Sequence, residues 1–118
     1  MTYSKLSSSA AIKLFTALSE AKKLRMLRIS YNDIADEACD AIIMAMKNTS
    51  LVELYMHDNP ISGECAQLIV QALQHNNTLQ LLYLIYPDDV KKIRSLQEEV
   101  NKKRETHGCQ VKLEITFW

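Results

Sequence analysis

The sequence predicts an α/β fold in which short parallel strands lie side by side, each followed by a helix packed against one face, with a helix and a strand closing the C-terminal end. Three observations carry that prediction. The stretch LRMLRISYNDI (24–34) recurs as LVELYMHDNPI (51–61), so that Leu24, Leu27, Ile29, Asn32 and Ile34 are matched by Leu51, Leu54, Met56, Asn59 and Ile61, and the first three positions return as Leu79, Leu82 and Leu84. The apolar residues after each copy fall at steps of three and four, the period of one helix face. The stretch VKLEITF (111–117) alternates Val111, Leu113, Ile115 and Phe117 with Lys112, Glu114 and Thr116, the period of a half-buried strand.

Taken in order, Leu6, Ala10, Leu14, Phe15, Ala17 and Leu18 form the first helical stripe. Ile34, Ala38, Ile42, Ile43, Ala45 and Met46 form the second, and Ile61, Cys65, Ile69, Val70, Ala72 and Leu73 the third. Asp36 and Ser62-Gly63 stand where the second and third helices should begin, and Asn48-Thr49 and Asn76-Asn77-Thr78 where they should end. In the third copy the Asn position is Pro87, which has no amide to offer. Asp88 and Asp89 then suit the positive start of a longer helix whose inward stripe is Val90, Ile93, Leu96 and Val100; Lys102, Lys103 and Arg104 suit its negative end, and Gly108 its left-handed exit. The expected division is residues 1–87 as repeated units, with a partial first one and others starting near 24, 51 and 79, and residues 88–118 as a cap whose strand covers the last sheet edge. Met1 and Ser4 fall at the offsets of Met56 and Asn59, so the first helix is expected to lack a complete strand, as in the tail piece of a longer protein, with an open edge through which a second copy could pair.

A lone strand and helix cannot bury their shared apolar face, so units stack into one core. Each buried Leu or Ile contributes roughly 1.5–3 kcal/mol, set against the entropy of ordering the chain. Asn32 and Asn59 serve a different end, because the turn leaving a strand strands backbone donors and acceptors, and a side-chain amide satisfies both kinds.

On these residues the chain resembles the ribonuclease-inhibitor type of leucine-rich repeat, as found in the C-terminal regions of NOD-like receptors. The resemblance implies a short repeat solenoid with strands on the concave face and helices on the convex face. It also implies a non-enzymatic protein-recognition module, the partner being another protein or another domain of the same chain. Relatives of that fold imply two alternatives: a regulatory protein of the GTPase-activator or ribonuclease-inhibitor kind, or a purely structural cap.

Composition narrows the function classes. The 118 residues carry 14 Lys plus Arg and 14 Asp plus Glu, so no net field draws the chain to nucleic acid or to an anionic membrane. Apolar runs fall well short of the roughly 20 residues a spanning helix needs, and the N-terminus does not read as a signal peptide. Cys39, Cys65 and Cys109 form no CxxC or ligand cluster and are expected as buried thiols in a reducing, cytoplasmic setting. His57, His75 and His107 sit in no ligand spacing, and Gly63 and Gly108 cannot build a phosphate loop, so no metal, cofactor or catalytic residue is expected. The asparagine triplets at 48–50 and 76–78 read as turns.

The strand alternation leaves one face open. Its rows should be Met26, Glu53 and Leu81; Arg28, Tyr55 and Tyr83; and Ser30, His57 and Ile85, with Tyr31, Asp58 and Tyr86 at the adjoining turn. Tyr and Arg are enriched at binding hot spots because they combine contact area with a polar handle, and Leu81 and Ile85 are apolar where solvent alone would not select them. The candidate partner-binding residues are therefore Arg28, Tyr31, Glu53, Tyr55, His57, Leu81, Tyr83 and Ile85, with Asn32 and Asn59 structural.

Overall fold

Strands of three or four residues are held by what their alternate side chains bury, and here the leucines decide. A computed structural model describes residues 2, 3, 5–84 and 90–117. The elements in chain order are α1 (Ser8–Leu18), β1 (Met26–Arg28), a 3₁₀ turn (Asp36–Ala38) running into α2 (Cys39–Asn48), β2 (Glu53–Tyr55), α3 (Gly63–Ala72) with a second 3₁₀ turn (Leu73–His75), β3 (Leu81–Leu84), α4 (Val90–Thr106) and β4 (Glu114–Phe117). All four strands are parallel, in the order β1-β2-β3-β4. Their register places Leu27, Leu54, Leu82 and Ile115 in one line, each fully buried. Helices cover that face alone, α1 on α2, α2 on α3 and α3 on α4, and bring in Phe15, Ile42, Met46, Ile69, Val70, Ile93 and Val100. The extents of 38 × 34 × 20 Å describe a compact α/β body and not the short repeat solenoid expected from the resemblance. With four strands and four helices, the stack is about as wide as it is tall.

Side-chain amides tie one layer to the next. The Asn59 side-chain NH₂ donates to the carbonyls of Ile29 at 2.8 Å and Met56 at 3.1 Å, while its oxygen accepts from the Ile34 N–H at 3.2 Å. Asn32 repeats the arrangement, donating to Ile29 O at 2.8 Å and Ser30 O at 3.1 Å and accepting from Leu6 N–H at 2.7 Å. Both amides are buried, so their bonds replace water that cannot reach the turn. Asn76 acts at the other end of the strands, donating to Met46 O at 3.0 Å and accepting from the N–H groups of Leu79 at 2.7 Å and Thr78 at 2.9 Å.

Helix starts follow the expected residues, with one difference. Ser62 caps α3 by accepting from Cys65 N–H at 3.1 Å. Asp36 opens a 3₁₀ turn instead of the α-helix, and its carboxylate reaches forward to the Ser62 N–H at 2.8 Å; hydrogen bonds from the Ser62 side chain first, and from its backbone second, hold the Asp36 carboxyl below the usual carboxylate range. At the end of α4, Gly108 takes φ +86°, and the Cys109 N–H returns to Arg104 O at 2.9 Å, closing the last turn.

Three further expectations are corrected. Cys39 and Cys65 are not free thiols: they form a disulfide between α2 and α3, with Cα atoms 6.0 Å apart, which removes the thiol argument for a reducing compartment. The repeat does not announce the pair, because Cys65 aligns with Ala38, one position before Cys39, and only packing of adjacent helices brings the two together. The N-terminal edge is not fully open: Tyr3 N–H donates to Arg28 O at 2.9 Å, and Thr2 and Ser7 bridge in parallel to Arg28 and Asp33. The final strand begins at Glu114, later than the alternation from Val111. Met1, Ser4, Trp118 and residues 85–89, including Tyr86, Pro87, Asp88 and Asp89, lie outside the described residues. No helix of the described residues is long and apolar enough to cross a membrane.

Replacing Asn59 by Ala leaves buried backbone groups of two layers unpaired and is expected to cost about 1–3 kcal/mol in urea unfolding. In the oxidised, denatured protein, thiol titration should find one reactive cysteine, Cys109, and three after reduction; three before reduction would remove the disulfide.

Candidate functional site: the open face of the sheet

The pleat that sends the leucines inward sends every second residue to the uncovered side. Strand pairing sets Met26 beside Glu53 and Glu53 beside Leu81, then Arg28 beside Tyr55 and Tyr55 beside Tyr83. Parallel neighbours are about 4.8 Å apart, close to the stacking distance of two rings. The Tyr55 and Tyr83 rings accordingly stack, with centroids 4.8 Å apart and planes 19° apart. The Arg28 guanidinium lies 4.7 Å from the centre of the Tyr55 ring, extending the row by a cation–π contact.

A second set of contacts fixes the row's polar ends. The Tyr55 hydroxyl donates to the Glu53 carboxylate at 2.9 Å. That bond, reinforced by partial burial, holds the Tyr55 phenol above its usual range. His57 sits where the next row begins, only 8% exposed, with its Nδ1 3.0 Å from the Ser30 hydroxyl. Its ring meets Tyr31 edge-on at 5.3 Å and lies 5.9 Å from Tyr83. Desolvation pushes the His57 pKa down and outweighs the opposing pull of Asp58.

The turn residues carry a feature that sequence reasoning misses. Tyr31 and Asp58, one at each turn out of a strand, take φ of 60° and 58°, a left-handed backbone that L side chains seldom adopt. Each is followed at once by a buried Asn whose amide holds the turn, so the strain is carried by the hydrogen bonds of Asn32 and Asn59. At Tyr31 that backbone presents the ring to solvent, 66% exposed, beside His57. Asp at such a place is an ordinary signal; a Tyr gives none. Of the remaining candidates, Leu81 is half-buried next to Glu53, and Ile85 lies outside the described residues.

Among the described residues no three His, Cys, Asp or Glu side chains cluster as a metal ion would require. The face offers aromatic area, a cation, a carboxylate and an imidazole, linked by contacts within the chain.

His57 gives the face a pH response whose sign is fixed. With its folded pKa depressed below 6.5, protonation favours the unfolded chain, so stability is full above that value and falls as pH drops through the folded pKa. His57→Gln should flatten the decline of the thermal midpoint between about pH 7 and 5; an unchanged slope would show that the decline lies elsewhere.

Comparisons with known proteins bear on kinship. No family model matches the chain, and no curated protein sequence matches it. Among solved structures the chain is similar to leiomodin-1 actin-binding site 2 (ABS2), with a TM-score of 0.70 and 20% sequence identity, covering 95% of this chain and 65% of that one. The expected kinship with ribonuclease-inhibitor-type leucine-rich repeats and NOD-like receptors is therefore corrected: a solved structure of similar fold is named as an actin-binding site. The physical reason for the misreading is that leucines at strand positions and Asn at the turn are what stacked parallel strands need to fill a core, so those positions report packing and do not name a family.

Proposed function

We propose that the chain is a non-enzymatic protein-recognition domain that docks its partner on the open sheet face, with Arg28, Tyr55 and Tyr83 at the centre and Tyr31, His57, Glu53 and Leu81 around them. The observation that carries this reading is the continuous contact row of Arg28, Tyr55 and Tyr83 on a face that no helix covers among the described residues. Ordering a flexible side chain at an interface costs about 0.5–1.5 kcal/mol; here the ordering is already done by stacking within the free protein. Aromatic pairs of this geometry contribute about 0.5–1.5 kcal/mol beyond their buried area, enough to hold the rings in place.

Actin is the first partner to test, because the similar solved structure is named as an actin-binding site. This chain spans 65% of that one, so the support is for a shared body able to present a binding face. In this reading residues 88–118 serve as the closing part of the sheet, and a larger polypeptide of which this domain is part is the alternative source of the occupant.

Tyr55→Ala and Tyr83→Ala should each weaken binding to actin by about 2 kcal/mol or more while changing the unfolding midpoint little. Titration calorimetry against monomeric actin, and sedimentation with filaments, measure the effect. Equal affinity for parent and variants would remove the face from the contact, and no binding by the parent would remove actin as the partner.

A further inference from the structure

Among the described residues, Arg104 is the charged side chain that the fold withdraws almost wholly from water. It sits near the end of α4 with 1% of its surface exposed. Its Nη2 donates to Leu79 O at 2.8 Å and lies 3.8 Å from the Cys109 sulfur, but Nε and Nη1 are buried with no hydrogen-bond partner among the described residues. A guanidinium keeps its charge and brings five donors, and a buried charge without a counter-charge is strongly unfavourable. Something other than the described residues is needed to balance it.

The surroundings indicate what. Arg104 lines a cavity of about 240 Å³ with Gln74, His75, Asn76, Asn77, His107 and Cys109, beside the start of β3. No Asp or Glu is among these residues. The His75 and His107 rings lie 6.4 Å apart, one at the end of the second 3₁₀ turn and the other just past α4. The cavity thus sets two imidazoles and amide groups against a buried cation whose two unpaired nitrogens are themselves closed to water, so an occupant would have to draw the guanidinium toward it. Its chemistry is that of an acceptor-rich, negatively charged ligand.

We propose that this cavity binds a small oxyanion of the phosphate class, held by Arg104 with His75 and His107 beside it. The site is separate from the aromatic row and does not depend on the protein-recognition reading. It also accounts for Arg104 itself: the cation balances a ligand that the chain does not supply.

The test is thermal unfolding of the full chain in inorganic phosphate against sodium chloride of equal ionic strength. Phosphate should raise the midpoint saturably and chloride should not. Arg104→Met should abolish the phosphate response and, with no anion present, leave the chain as stable as the parent or more so. Should that variant fail to fold, His75→Gln/His107→Gln, at two exposed positions, keeps the core intact and should weaken the apparent phosphate affinity by about tenfold. Phosphoserine as a second probe separates the sources: a matching shift assigns the site to a phosphoryl ester, and none assigns it to the free ion. Equal midpoints in phosphate and chloride for the parent, or an identical phosphate response in the parent and the double histidine variant, would overturn the proposal.

Discussion

Backbone groups left over where each strand turns toward its helix set the terms for the rest of this molecule. Two buried amides, Asn32 and Asn59, take up those groups, and each spans more than its own turn. Asn59 joins the carbonyl of Ile29 in the preceding layer to the N–H of Ile34 beyond it, so the spacing between neighbouring strands is set by one side chain. Register follows from spacing, and the leucine line follows from register. A slip of one residue would turn Leu27, Leu54 and Leu82 to solvent.

The contact row on the other face is a by-product of that discipline. Residues at corresponding offsets meet because the strands are parallel and aligned, and the offset that stacks leucines inside also stacks Tyr55 on Tyr83 outside. Only side-chain identity distinguishes the two faces. Function at the face therefore costs the core nothing: Tyr55 and Tyr83 are replaceable without touching the inward line, while the amides are not. The same separation holds at the far end of the strands, where Asn76 is fully engaged in bridging layers and Arg104 has donors to spare.

Much of this is legible in the chain because two periods coincide. An offset of about one strand plus one helix reveals the layers, and alternation within each strand separates inside from outside, so the rows containing Arg28, Tyr55 and Tyr83 are readable as neighbours. Three features are not. The disulfide joins residues that are not equivalent in the repeat, and offsets alone do not show how adjacent helices rotate. Arg104 reads as an ordinary cation at a helix end; the available signal is its place four residues after Val100, on the same stripe that faces the core. The left-handed turn at Tyr31 has no compositional mark, because the hydrogen bonds of the following Asn impose it. Kinship is misread for a related reason, since positions that meet a packing requirement carry little mark of family.

The Cys39–Cys65 bond makes the helical wall uneven in its mechanics. Of the seams between neighbouring helices, that between α2 and α3 is covalent, while α1 on α2 and α3 on α4 hold by packing. A tug on the chain's ends is then borne unequally: the outer helices are free to peel, and the middle pair travels as one stiff plate carrying Tyr55 on its reverse side.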